Sequence, residues 1–144
     1  MTIEQLTVFL ENDTGKLVEV LELLADAGID LRALSLADTE NFGILRMIVD
    51  KPACARDILL DEGYGVELTG VIPVCVDDRP GSFAAALRIL ADAGVAVEYA
   101  YVFVAPRLAN AEKAYAILCV DDNAAAINAL AAGGIGVVSN AEMF

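Results

Sequence analysis

Val8-Phe9-Leu10-Glu11-Asn12-Asp13-Thr14-Gly15-Lys16-Leu17 is the stretch on which the reading of this chain turns. An apolar run with a polar face ends in Asn-Asp-Thr-Gly and passes directly into a helical pattern, which holds the free N–H groups of a helix start at the mouth of a strand. Such a turn suits an anion. A second copy follows at Val74-Cys75-Val76-Asp77-Asp78-Arg79-Pro80-Gly81-Ser82-Phe83. The chain is therefore two versions of one unit, expected at residues 1–70 and 71–144.

Upstream of the first turn, Leu6, Val8 and Leu10 alternate with Gln5, Thr7 and Phe9, the period of a strand with one buried face. Downstream, Leu17, Val20, Leu21 and Leu24 recur at helical spacing up to Ala27-Gly28, which predicts a helix of about three to four turns. Ile29 to Asp38 and Ile44 to Val49 read as a hairpin around Thr39-Glu40-Asn41. Pro52 opens a second helix that stops near Gly63, and Val66 to Leu68 supplies a short last strand.

The same order returns from Val71. An offset of 66 carries Leu24-Ala25-Asp26-Ala27-Gly28 onto Leu90-Ala91-Asp92-Ala93-Gly94 without a mismatch. After the hairpin the offset is 71, from Val49-Asp50 onto Val120-Asp121, so the second hairpin is five residues longer, with the extra residues around Ala105 to Lys113. Strand-helix-strand-strand-helix-strand predicts a split βαβ sandwich: an α+β unit with an antiparallel sheet and both helices on one face. Pro73 falls early in a central strand, so pairing is expected to begin after it or to bulge there.

Nine Lys and Arg against 22 Asp and Glu give a net charge of −13, which disfavours nucleic acid and anionic membrane as partners. No apolar run is long enough to span a bilayer, and the first residues have no leader-like pattern, so a soluble cytoplasmic chain is expected. Cys54, Cys75 and Cys119 are odd in number and set in apolar surroundings, which predicts buried free thiols rather than bridges or a metal site. The absence of histidine removes the commonest general base and metal ligand, so no catalytic residue, metal or cofactor is expected. At 58% hydrophobic residues, the chain has more apolar surface than a small monomer usually hides, which points to a homodimer. The sheet faces opposite the helices carry Thr7, Phe9, Ile44, Arg46 and Ile48 in the first repeat. Those of the second carry Pro73, Cys75, Tyr115, Ile117 and Cys119, a drier face. With Tyr99, Tyr101 and Phe103 beside it, that face needs a cover: a loop, the other repeat or a second chain.

These residues carry a resemblance. The first strand, Asn12-x-x-Gly15-x-Leu17, a helix closing on Ala27-Gly28-Ile29-Asp30, and the hairpin into Gly43-Ile44-Leu45-Arg46-Met47-Ile48-Val49 resemble the ACT domain, a small-molecule regulatory module of amino-acid metabolism. Asp78-Arg79-Pro80-Gly81-Ser82-Phe83 through Ala93-Gly94-Val95 is similar, and together the units resemble the stand-alone tandem ACT proteins, ferredoxin-like and without a catalytic domain. The resemblance implies two units paired side by side through their second strands, with a free amino acid at the seam. One site would join Asn12, Asp13, Thr14, Gly15, Lys16 and Leu17 to Ala96. The other would join Asp78, Arg79, Pro80, Gly81, Ser82 and Phe83 to Asp30.

The chemistry of a zwitterion suits both halves. Its carboxylate needs N–H donors, which a helix start with Gly15 or Gly81 offers, and its ammonium needs acceptors such as Asn12, Asp78 or Asp30. Leu17 or Phe83 would floor the side-chain pocket. Ala96 against Asp30, and Asp78 against Asn12, make the two sites unequal. Plainer roles stand beside these. Asp13 suits a helix cap on the N–H of Lys16, Pro80 a first helical position, and Asp77-Asp78 and Asp121-Asp122 solvated capping acids. Gly15-Lys16 is no phosphate loop, and Gly133-Gly134-Ile135-Gly136 follows a helix and reads as a C-cap. The leading reading is a non-catalytic amino-acid sensor acting on an enzyme. The alternatives are a regulatory subunit docked on an acetohydroxyacid-synthase-like chain and, on thinner grounds, an acylphosphatase-like hydrolase using Arg79.

Overall fold

The computed structural model describes residues 2–102 and 112–144. The order is β1 (Ile3–Glu11), α1 (Lys16–Asp26), β2 (Leu31–Asp38), β3 (Phe42–Val49), α2 (Pro52–Asp61), β4 (Gly65–Asp77), α3 (Ser82–Asp92), β5 (Val97–Val102), β6 (Lys113–Val120), α4 (Asn123–Ala132), β7 (Gly136–Val137) and α5 (Asn140–Met143). Two compact units result: Glu4–Thr69, and Gly70–Phe144 with the first residues of the chain. Each is an α+β sandwich of the expected ferredoxin-like kind. Most of the predicted longer hairpin, and Phe103, lie outside the described residues.

In the unit Glu4–Thr69 the sheet order is β2-β3-β1, followed by the first part of β4. In the other unit, the second part of β4 lies between β7 and β6, and β5 is beyond β6. Strand β4 changes role along its length: its start closes one sheet and its end has the place in the second repeat that β1 has in the first. The sequence reading expects two strands here, one ending at Leu68 and another starting at Val71. Thr69-Gly70 is compatible with a turn or with extended backbone, and β4 runs through it unbroken because its two parts pair with neighbouring strands on either side of that point.

Each helix buries one pair of residues a turn apart: Val20 and Leu24 on α1, Ala55 and Leu59 on α2, Ala86 and Leu90 on α3, Ala126 and Leu130 on α4. That spacing puts both side chains on one stripe. They cover Leu6, Val8, Leu10, Leu45, Met47 and Val49 in the first unit. In the second they cover Ile72, Val74, Val76, Ala116, Leu118 and Val120.

Several expectations are revised. Pairing in β4 does not wait for Pro73, since Ile72 faces Leu118 and Pro73 faces Ile117 in unbroken register. The Pro73 carbonyl accepts from the Val138 N–H at 2.8 Å. A residue's N–H and C=O point to one side of its strand, so the missing donor faces the short β7 side and takes nothing from β6. Strand β1 is buried on both faces, with Gln5 at 0% and Thr7 at 8% exposure. On the drier face Ile117 and Cys119 are likewise buried within the single chain. Cys54 is exposed, not buried, because α2 turns Ala55 and Leu59 inward. The last strand of the second repeat has two residues, after which Ser139 and Glu142 form a capping box for the four-residue α5, which buries Met143.

The second strands are edges. Among the described residues β2 is bonded to β3 and β5 to β6, and the β2–β5 pairing that the resemblance implies is not among the described strand pairs. No helix among the described residues is long and apolar enough to cross a membrane.

The buried ladder makes a direct test. Leu118 is fully buried opposite Ile72, so Leu118→Ala is expected to cost about 2–5 kcal/mol in urea unfolding. Leu60→Ala, on an exposed side chain of α2, is expected to move stability by about 0.5 kcal/mol or less.

Candidate functional site

The two Gly-centred turns have the same geometry. Gly15 is the N-cap of α1 at φ +91°, and Gly81 the N-cap of α3 at φ +85°, both left-handed. A side chain at Cα would meet nothing within 4 Å at either position, so the backbone conformation, not space, calls for glycine. The Lys16 N–H donates to the Asp13 carbonyl at 3.4 Å and the Ser82 N–H to the Arg79 carbonyl at 3.2 Å. Asp13 therefore meets Lys16 through its carbonyl and not by the expected side-chain cap. Pro80 precedes the N-cap instead of opening the helix. The glycine takes the capping position because only it tolerates the left-handed bend there.

No side chain caps α1 or α3, so the first-turn N–H groups after those of Lys16 and Ser82 have no capping side chain. The chain caps helices elsewhere: the Asp122 side chain accepts from the Ala125 N–H at 3.0 Å, and Ser139 accepts from Glu142. Helix α2 also lacks a side-chain cap, but Pro52 at its start has no N–H to satisfy.

Each turn opens on a cavity of its own unit. Around Gly81 the volume is about 750 Å³, bounded by Asp77, Arg79, Pro80, Ser82 and Lys113, with Gly134–Gly136 behind. Around Lys16 it is about 350 Å³, bounded by Phe9, Glu11, Glu19, Glu62 and Tyr64. These are repeat-equivalent: Glu11 corresponds to Asp77, Lys16 to Ser82, Glu19 to Ala85 and Tyr64 to Ile135. Their electrostatics differ. The first sets three carboxylates against Lys16, which lies 3.6 Å from Glu19. Burial, then Glu19, Glu62 and Glu11, pushes the Tyr64 phenol above its ordinary pKa. In the second, Asp77 accepts from Lys113 and from Arg79, the latter at 2.9 Å. The hydrogen bond from Lys113 and its charge hold the Asp77 carboxyl below its usual range, and Arg79 adds to this; the same bond raises the Lys113 ammonium.

The other residues singled out from sequence are dispersed. Asn12, Asp13 and Thr14 are exposed beside Gly15, and Leu17 packs partly onto the core. Asp78 lies with Arg79 and Glu112 on a polar recess, while Phe83 lines a separate apolar cavity at the β5 edge. Asp30 and Ala96 are each held by an aspartate of their own repeat. The Asp30 N–H donates to Asp50 Oδ1 at 2.9 Å and Asp50 returns a bond to the Asp30 carbonyl at 3.2 Å. Ala96 and Asp121 repeat this at 3.0 and 3.1 Å. The clasp joins the start of the second strand to the end of the third. The Asp30 carboxylate itself pairs with Arg32 at 2.9 Å and is 47% exposed. Sequence reasoning missed the clasp, although Val49-Asp50 recurring as Val120-Asp121 was a signal for it. It also missed Lys113 and Tyr64, which lie far along the chain from the turns they adjoin.

Residues 1–127 match the family model described as an ACT domain pair. The chain belongs to the ACT domain pair family. This ACT pair superposes on protein BT0572 from Bacteroides thetaiotaomicron with a TM-score of 0.90 and 34% identity, over 99% of this chain and 96% of that one. It also superposes on the ligand-free regulatory subunit of aspartate kinase from Thermus thermophilus, at TM-score 0.65 and 18% identity, over 90% and 91% of the two chains. For the aspartate kinase regulatory subunit from Thermus flavus the values are 0.62 and 16%, over 91% and 92%. Those two likenesses show the fold. No curated protein matches the sequence. ACT domains are regulatory modules, and among the described residues no group of three or more metal-ligating side chains converges.

Two predictions follow from the turns. Gly15→Ala and Gly81→Ala each force a left-handed non-glycine residue and are expected to cost about 1–2 kcal/mol in chemical unfolding. The Asp77 pKa is lower folded than unfolded, so its stabilisation is present above the ordinary aspartate value of about 4 and is lost as pH falls through the folded value. Lys113, raised, stabilises below its ordinary value of about 10.4 and ceases to do so as pH rises through the folded one. The exposed pair thus acts across the neutral range, weakly because solvent screens it. Lys113→Met is expected to raise the Asp77 pKa in an NMR titration; an unchanged value would remove Lys113 as the cause.

Proposed function

We propose that this ACT pair is a non-catalytic amino-acid sensor, with residues 1–70 and 71–144 as its two ligand-binding modules. The observation that carries the reading is the duplicated turn: two left-handed glycines that leave two helix starts without side-chain caps. A ligand carboxylate would accept from the first-turn N–H groups that follow Lys16 and Ser82. In this reading Asn12, Asp13, Thr14, Gly15, Lys16 and Leu17 form one half-site completed at Ala96. Asp78, Arg79, Pro80, Gly81, Ser82 and Phe83 form the other, completed at Asp30. With β2 and β5 both open edges, we place each seam between two copies of the chain, so that the protein works as a homodimer. Asp30 offers its carboxylate to a ligand ammonium, and Ala96 offers no such group, so the two sites differ in ligand or occupancy.

The binding signal passes to an enzyme of amino-acid biosynthesis in the cytoplasm, where free thiols such as those of Cys54 and Cys75 persist. Two structural neighbours are named as regulatory subunits of aspartate kinase, which makes a subunit role on a separate catalytic chain the companion reading. An acetohydroxyacid-synthase-like chain is its other candidate partner.

A thermal-shift screen of the twenty amino acids tests the sensor. A bound ligand raises the melting temperature by mass action, and Asn12→Ala or Asp78→Ala is expected to abolish part of the shift. No shift with any amino acid would end this reading. Capture of a stoichiometric enzyme from native lysate favours the subunit role.

A further inference from the structure

The second repeat holds an apolar cavity where the first is filled. Among the described residues this space, of about 290 Å³, is bordered by Val76, Phe83, Ala100, Val102, Ala114 and Ala116, on the helix side of the sheet. Tyr101 and Tyr115 alternate with these residues, so their side chains turn to the other face. The first repeat serves as a control. Offsets of 66 and 71 place Leu10, Leu17, Leu34, Leu36, Gly43 and Leu45 at the corresponding positions. There Leu36 lies over Gly43: its Cδ1 is 3.4 Å from where a side chain on Gly43 would begin, and the Leu10 Cβ is at 3.9 Å. In the second repeat Ala100, Val102 and Ala116 replace three of those leucines, and Val102 is 77% exposed instead of reaching across. Interiors pack closely, and an unfilled gap forfeits contacts on every wall. A gap kept in one of two copies is room for a guest.

The position of the cavity says what kind of guest. It adjoins the polar cavity at the Gly81 turn: Val76 borders both, and Ser82 and Phe83, neighbours at the start of α3, border one each. The Ser82 N–H is bonded to the Arg79 carbonyl and the Ala85 N–H to the Gly81 carbonyl, which leaves those of Phe83 and Ala84 for an anion. Phe83 thus offers its N–H to a carboxylate and its ring to whatever that carboxylate carries. Resting on the sensor reading above, we propose that the Gly81 module takes an α-amino acid with an apolar side chain, branched or aromatic, which lodges in this cavity. The leucines of the Gly15 module fill the equivalent space and refuse it. An apolar cavity of about 150 Å³ holds a benzene-sized guest, so about 290 Å³ admits such a side chain. No charged residue borders the cavity among the described residues, and a side chain bearing a carboxylate, ammonium or amide would lose its water there with no partner in return.

Titration calorimetry of the full chain with the twenty amino acids tests this. L-leucine, L-isoleucine, L-valine or L-phenylalanine is expected to bind tightest, exceeding L-alanine by about tenfold or more, because a methylene buried in a fitting pocket is worth roughly that. A100L and A116L restore first-repeat residues and fill the cavity, and each is expected to weaken that binding by about tenfold or more. Ala100 is exposed, so A100L has no core to disrupt, and urea unfolding checks that both variants fold. Binding led by aspartate, lysine or serine, or apolar binding that a folded variant leaves intact, would overturn the proposal while the sensor reading stands. No binding by any amino acid ends both. Without amino acid, the mass of each variant by light scattering is expected to match that of the wild type. A fall in mass would assign the cavity to a second copy of the chain and overturn the proposal as well.

Discussion

Two helices of ten or eleven residues can cover one face of one small sheet, and the rest of each repeat is arranged around that limit. Each of α1 to α4 buries a single pair of side chains a turn apart, against central strands where Leu6, Val8, Leu45 and Met47, or their counterparts Ile72, Val74, Ala116 and Leu118, present a continuous apolar row. Burial of this kind stabilises by about 25 cal/mol per Å². The outermost strands are only partly covered: Leu31 and Val97 at their starts pack on the cores, and the residues further along are more exposed. That is why the leucines of β2 and the hollow beside β5 remain at the surface.

The same limit shapes the turns that lead from strand to helix. A strand that ends under a helix start must turn sharply, and both repeats do so with a left-handed glycine at the N-cap. The turn is conserved between the repeats while its surroundings diverge. Glu19 and Tyr64 stand where Ala85 and Ile135 do, and Lys113 and Arg79 act on Asp77 where the first repeat has only Lys16 against Glu19. Identical backbone frames thus carry one acid-rich and one mixed-charge cavity. Side-chain replacement at solvent-facing positions costs the fold little, so duplicated sites can separate in character without separating in structure.

Much of this was legible from residues alone. Period-two and period-3.6 patterns located β1, α1, the β2–β3 hairpin and α2, and the offset of 66 predicted the second copy down to Leu90–Gly94. Errors arose where local chemistry is ambiguous. Thr69-Gly70 permits a turn or an extended strand, and only the pairing partners on both sides choose the strand. Pro73 reads as a defect until one knows which edge its nitrogen faces. Asp50 and Asp121 read as landmarks of the repeat, whereas their carboxylates clasp Asp30 and Ala96 from about twenty residues away.

By itself the sequence determined the order of elements within each repeat as far as its second helix, the duplication and the glycine turns, because periodicity, capping and turn chemistry act over a few residues at a time. Tertiary structure alone decided that β4 runs through the boundary between repeats, that β2 and β5 are left as edges, and that Lys113 and Tyr64 border the turns. Those features depend on which distant strands exchange hydrogen bonds and on how much volume small or large side chains leave between them, and neither quantity is local.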